Sequence, residues 1–248
     1  MTTTATETIS NELAAKAFAL TSAVWFALAT TFGLIAAGYL IAPDLMANIE
    51  FIHFGRSRPI HINLVLFGFV TPGFIAAVFY FTPRLLRTEL YSQKLGLITA
   101  VLWNITLVAT VVSLGLGYTQ GREYAELPWV VDMMIAGIFL LVIFNLLKTV
   151  GRRREPLLYV SIWYASAALV LTAVGYCLGN VIWKPDSGAL LGIPDAILLW
   201  FYGHNIFGLL LTPMGLAVAY YVLPLVTRSP LYSHTLSLIG FWSLIVVY

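Results

Sequence analysis

Apolar positions along the chain gather into long, nearly uncharged runs separated by short polar segments. The runs fall at about 17–42, 60–82, 94–118, 129–150, 157–183 and 196–223, and a last one starts near Ser233 and continues to Tyr248. Each of the first six can carry a helix across a hydrocarbon core of about 30 Å, which asks for roughly 20 apolar residues. The seventh, from Ser233, reaches only about 24 Å as a helix at 1.5 Å per residue, and no polar stop follows it. The pattern predicts an all-α fold, a polytopic transmembrane helical bundle of six complete spans and a truncated seventh, with residues 1–248 as a single domain. Met1 to Glu12 is polar and Thr-rich, and the first apolar run is too long for the core of a signal peptide, so the first helix is expected to stay. No internal repeat or linker long enough to divide domains is legible.

Composition agrees with the pattern: 60% of the 248 residues are hydrophobic and 10% charged, with mean hydropathy +0.90. A net charge of +2 gives no basis for nucleic-acid binding, and the basic residues instead sit in the short loops. With the N-terminus inside, nine Lys/Arg lie on the inner side (Lys16, Arg84, Arg87, Lys94, Lys148, Arg152, Arg153, Arg154, Arg228) and four outside (Arg56, Arg58, Arg122, Lys184). The positive-inside rule therefore expects a cytoplasmic N-terminus, residues 1–16 forming a polar cytoplasmic tail. Arg152, Arg153 and Arg154 read as a topology anchor. Cys177, the single cysteine, lies in an apolar run and reads as a small packed hydrophobe.

Within the sixth run, Trp200-Phe201-Tyr202-Gly203-His204-Asn205-Ile206-Phe207-Gly208 places an imidazole among aromatics in the membrane, which is costly without a partner, an ion or a metal. A hydrogen bond to a neighbouring helix would satisfy it equally well. The first outer loop ends Phe54-Gly55-Arg56-Ser57-Arg58-Pro59-Ile60-His61; Pro59 suits a first helical turn, so the second span is expected to begin there with His61 pointing inward. Two arginines beside a histidine suit haem, whose iron takes imidazole and whose propionates take guanidinium forks, and they equally suit phospholipid headgroups. In the second outer loop Glu123 and Glu126 would share one side of a helical turn, placed to hold a cation such as calcium, to pair with Arg56 and Arg58, or simply to face water. The stretch from Lys184 to Asp195 reads as a turn-rich connector, and Thr212-Pro213 is expected to loosen the sixth helix about two turns beyond His204. Ser237 and Tyr248 fall within about 20° of one helix face, which fits a proton path and equally a packed polar seam.

These motifs together resemble the catalytic subunit of cbb3-type cytochrome c oxidases, the C-family of haem-copper oxidases. The likeness rests on Phe-Gly-Arg-x-Arg-Pro-x-His opening the second span, Gly-Arg-Glu-Tyr-Ala-Glu-Leu before the fourth and Tyr-Gly-His-Asn in the sixth, with Tyr-Tyr-x-x-Pro at Tyr220 to Pro224 and Pro-Leu-Tyr-Ser from Pro230. It implies that His61 is an axial ligand of a low-spin haem b, that Arg58 and Arg56 contact haem propionates, and that Glu123 and Glu126 are the acidic pair near the propionates and a calcium ion. It implies His204 as a copper ligand and Tyr248 as the redox-active tyrosine joined to it, beside a high-spin b-type haem. The remaining haem and copper histidines would lie beyond Tyr248, so the sequence reads as the N-terminal half of a subunit I fold. The implied function is dioxygen reduction to water with electrons from cytochrome c and coupled proton translocation, in a bacterial plasma membrane, with membrane-anchored c-type cytochromes and lipid as partners. A nitric oxide reductase subunit or a cofactor-free membrane scaffold are the rival readings.

Overall fold

The computed structural model describes residues 12–44, 46, 48–181, 190 and 192–247. Seven long helices carry them: α1 Leu13–Ile41, α2 Phe54–Leu85, α3 Gln93–Gly115, α4 Trp129–Gly151, α5 Val160–Val181, α6 Ile193–Thr227 and α7 His234–Val247. The first six are long and apolar enough to cross a membrane, while α7 has 14 residues. The helices run alternately up and down, so loops 42–53 and 116–128 share one end of the bundle with the start of α6. That end is the distal one, and Leu13 begins at the proximal one.

Burial ranks the helices. In α2 and α5, 61% of the apolar window is buried, against 22% in α1 and 33% in α6, so α2 and α5 form the interior and α1 and α6 the flanks. α1 lies along α2 and α3, α3 on α4, and α4 on α5; α6 and α7 pack on α5, and the last part of α2 reaches α6. Lipid is as apolar as leucine, so the hydrophobic effect alone does not hold such helices together; close packing and interhelical hydrogen bonds must. Rings supply part of it. Phe18 meets Trp103 edge-on at 6.3 Å, Trp103 meets Phe139 at 5.4 Å, and Phe139 meets Tyr176 at 6.3 Å, joining α1 to α5 through the core. Hydrogen bonds supply the rest: Trp25 Nε1 donates to Asn104 Oδ1 at 2.8 Å while Asn104 Nδ2 donates to Thr21 Oγ1 at 2.8 Å, stitching α1 to α3.

Three of the helices widen locally into π turns, at Leu64–Val70 in α2, Cys177–Val181 in α5 and Ile206–Leu211 in α6. Two of these stretches end on a Thr-Pro pair, Thr71-Pro72 and Thr212-Pro213. Proline has no N–H to continue the ladder, so a wider turn before it frees carbonyls that need other donors. Thr71 Oγ1 donates to Leu66 O at 2.8 Å and Thr212 Oγ1 to Phe207 O at 3.2 Å. Phe67 O, which residue 72 would serve in the same register, accepts from Trp103 Nε1 at 2.7 Å. The loosening expected two turns beyond His204 thus starts at Ile206, two residues after it, because the proline disturbs the turn that precedes it.

Two boundaries differ from the sequence reading. α2 starts at Phe54, and Pro59 lies inside the helix rather than in its first turn. His53 caps this start, its backbone carbonyl accepting from the N–H groups of Arg56 and Ser57 at 2.8 Å each; hydropathy missed the polar first turns because they lie beyond the apolar run. Asp195, expected in the connector, belongs to the first turn of α6, which follows Gly192 and carries Pro194 near its start.

Candidate functional site

His61 sits in α2 near its distal end, half-buried, with Nδ1 2.8 Å from Ala29 O of α1. A carbonyl only accepts, so Nδ1 carries the hydrogen, and the imidazole presents the lone pair of Nε2. The ring fits against Gly33, one turn along α1: a Cβ there would lie 2.7 Å from both Cε1 and Nδ1. A ring held in one tautomer by a backbone carbonyl is how metal-ligating histidines are commonly oriented, so this side chain fits an axial haem ligand.

The arginines beside it are anchored differently. Arg58 Nη2 lies 2.6 Å from Glu123 Oε1, a half-exposed pair joining α2 to loop 116–128. Arg56 turns to Gly115 O, donating from Nη1 at 2.9 Å, and to Glu50 Oε2 at 3.6 Å from Nη2. The pairing expected between the loop acids and these arginines is thus realised for Arg58 with Glu123, whereas Arg56 has another partner.

The loop at Glu123 and Glu126 is a reverse turn, not the turn of helix that would have set both carboxylates on one side. Arg122 and Ala125 form a β-bridge, with Gly121 at φ +68° and Tyr124 at +63°. A left-handed residue inside the tetrad cannot belong to a helix, and the two carboxylates separate: Glu123 faces outward to Arg58 while Glu126 is buried. Glu126 Oε2 accepts from Asn63 Nδ2 at 3.0 Å and Oε1 from the Tyr124 N–H at 3.1 Å. Burial pushes its carboxyl above the ordinary carboxylate range, against the pull of those hydrogen bonds.

Tyr124 connects this loop to the second candidate. Trp200, His204 and Phe207 follow one another at helical spacing on an exposed face of α6, and the Tyr124 ring meets Trp200 at 6.1 Å and Phe207 at 6.4 Å, both edge-on. His204 lies eleven residues past Ile193, about 17 Å into the helix at 1.5 Å per residue. One loop therefore touches Arg58, three residues before His61, and both aromatic neighbours of His204. Ser237 is buried in α7 and donates to His234 O of its own helix at 2.7 Å; Tyr248 lies outside the described residues. Among the described residues no group of three or more His, Cys, Asp or Glu converges on one metal position.

A buried polar cluster beneath this loop was not singled out from the sequence. Arg122, 8% exposed, donates from Nη1 to Gly179 O at 2.8 Å and from Nη2 to Asp195 Oδ1 at 2.9 Å, tying the π turn of α5 to the first turn of α6. A Cβ on Gly179 would lie 2.4 Å from the Tyr202 Cβ, so Arg122 holds these helices at the level of Tyr202, two residues before His204. Asp132, fully buried in α4, accepts from Tyr176 OH at 2.6 Å and from Gln120 Nε2 at 3.0 Å. The rule that marked His204 applied equally to Asp132, an ionisable group inside an apolar run.

The model of the cytochrome c and quinol oxidase polypeptide I family matches residues 13–248. A cbb3-type cytochrome c oxidase subunit of Stutzerimonas stutzeri is 32% identical over 249 residues, 99% of this chain and 52% of that protein. Cytochrome c oxidase subunit 1 of Rhodobacter capsulatus is 34% identical over 239 residues, 89% of this chain and 45% of that protein, and a bacteroid homologue of subunit 1 from Bradyrhizobium diazoefficiens is 36% identical over 223 residues, covering 87% and 40%. The chain spans about half the length of the curated relatives it matches. With the family model matching from the first turn of α1 onward, and with the helical bundle and the oriented His61 in place, the chain belongs to the cytochrome c and quinol oxidase polypeptide I family.

Proposed function

We propose that the whole protein is the catalytic subunit of a cbb3-type terminal oxidase, reducing dioxygen to water with electrons from cytochrome c and coupling this to proton translocation. The observation that carries the reading is the His61 ring, with its Nδ1–H on Ala29 O and its flank against Gly33, an arrangement that leaves the Nε2 lone pair for a metal. Family membership makes haem and copper the expected cofactors. His61 would hold the iron of a low-spin haem b, Arg58 and Arg56 would neutralise its propionates, and a calcium ion beside them would take one of Glu123 and Glu126 at most, since the two carboxylates turn to different partners. His204 would be one copper ligand; one imidazole does not make a copper site, and by the family resemblance the further ligands would be other histidines of the whole protein.

When bound, the low-spin haem passes electrons and the haem-copper pair reduces dioxygen. The chain's own part is to orient and to hold. Ala29 O fixes the imidazole tautomer, Arg58 with Glu123 fixes loop 116–128 over α2, and Tyr124 fixes that loop on the His204 face. Ser237 and Tyr248 would hand protons from the proximal side toward this face. The protein would lie in a bacterial plasma membrane with the N-terminus in the cytoplasm, beside other oxidase subunits including membrane-anchored c-type cytochromes. The experiment is His61→Ala in the full-length protein: the low-spin haem b spectrum should vanish because an axial ligand is gone. An unchanged low-spin signal removes His61 from the site and the reading with it.

A further inference from the structure

At the proximal end, far from His61, His204 and loop 116–128, loops 86–92 and 151–159 border an open surface pocket of about 490 Å³ lined by Arg84, Arg87, Arg152 and Arg154, with Glu89 as its acidic residue. The pocket is built, and it does not come merely from basic residues lying near one another. The Arg154 N–H donates to Leu86 O at 3.0 Å, pinning one loop to the other, and the Arg152 guanidinium lies over the Tyr91 ring at 4.3 Å. Arg84 is paired with Glu12 and Arg87 with Glu155. Among the described residues Arg152 and Arg154 have no carboxylate within ion-pair distance, so direct pairing neutralises neither of these two lining guanidiniums.

The surroundings identify the kind of anion. Arg84 and Arg87 are shared with a second pocket of about 510 Å³ whose wall continues through Leu157, Leu158 and Leu231 and includes Glu155, and Arg84 and Glu89 with a third of about 220 Å³ lined also by Phe79, Leu90 and Glu12. One arginine-lined pocket thus adjoins two grooves of mainly apolar surface at the level where the spans end. A free phosphate would use only the arginine-lined pocket, whereas an amphiphile with an anionic head and acyl chains uses all three.

We propose that this pocket binds the phosphodiester headgroup of an anionic phospholipid, with Arg152 and Arg154 on the phosphate and the chains along the Leu157–Leu231 and Phe79 grooves. The assignment is independent of the oxidase reading, since no haem or copper residue takes part.

The test uses the full-length protein in mixed micelles titrated with phosphatidylglycerol or phosphatidylcholine, with retained lipid counted by native mass spectrometry. Wild type should retain phosphatidylglycerol and not phosphatidylcholine. At about 1 kcal/mol for each exposed guanidinium that hydrogen-bonds the phosphate directly, Arg152→Ser with Arg154→Ser should weaken retention about thirtyfold, and each single change about fivefold, which also serves if the double variant does not fold. Arg153→Ser removes the same charge from the same loop but from outside the pocket lining, where an exposed, screened charge makes no direct contact, and should change retention less than about twofold. An Arg153→Ser loss equal to that of Arg152→Ser, or equal retention of the two lipids, overturns the site and leaves only diffuse charge. Displacement of the lipid by an equal concentration of inorganic phosphate overturns the lipid assignment in favour of a free-anion site.

Discussion

Gly33→Ala tests the placement of His61 without touching the imidazole. In an ordinary helix the change stabilises by about 1 kcal/mol, because alanine loses less backbone entropy than glycine. Here the new methyl would stand 2.7 Å from two atoms of the His61 ring, closer than a Cβ comes to any neighbour. The ring is no flexible tip that can swing aside freely, since its Nδ1–H is held by Ala29 O at 2.8 Å. Overpacking costs about 1–3 kcal/mol and loss of the hydrogen bond about 0.5–1.5 kcal/mol, so the net effect is a destabilisation of about 2 kcal/mol, opposite in sign to the propensity gain. Unfolding titrations in mixed micelles measure it, with Gly137→Ala as the control, since a Cβ at that glycine of α4 would meet nothing within 4 Å. In the haem-loaded protein Gly33→Ala should also reduce the low-spin signal by displacing Nε2. If Gly33→Ala behaves like Gly137→Ala in stability and spectrum, the α1–α2 geometry around His61 is wrong.

Other consequences follow from the loop and the buried pair. Asp195→Ala should cost about 3 kcal/mol by stranding the buried Arg122 guanidinium, and adding Arg122→Met should restore part of it because no charge is then left buried; a double variant worse than the sum of the singles rules out the pairing. Glu126 has a raised carboxyl pKa when folded, so the folded state holds its proton to higher pH than the unfolded chain does: the contribution is full below the ordinary carboxylate pKa and is lost as pH rises through the raised value. The stability difference between wild type and Glu126→Gln should therefore fall with rising pH across that window, and a difference that rises there refutes the buried placement. A cytoplasm-only reporter fused after Arg154 and an outside-only reporter fused after Asp186 should both be active, and the reverse pattern would put His61 and His204 near the wrong face.

The sequence by itself determined the number and order of the spans, because a hydrocarbon core leaves a chain no option but continuous apolar helices. It also marked His61, His204 and the arginines, since ionisable groups are scarce enough in such a chain for each to stand out. What it could not contain is which groups meet. The spacing of Glu123 and Glu126 left open whether they act together or simply face water; a left-handed Tyr124 folds the loop back and sends Glu123 to Arg58 and Glu126 to Asn63. Pro59 looked like a helix start because the apolar run began there, while the cap that decides the start, His53, lies in the polar loop before it. Arg122 and Asp195 are 73 residues apart and read as two unrelated loop charges; only the packing of α5 against α6 makes them one buried pair. Partition into the membrane is settled by local composition and is legible one segment at a time, whereas the His61 tautomer, the Arg122 clamp and the Tyr124 bridge depend on contacts between distant segments, which only the assembled bundle decides.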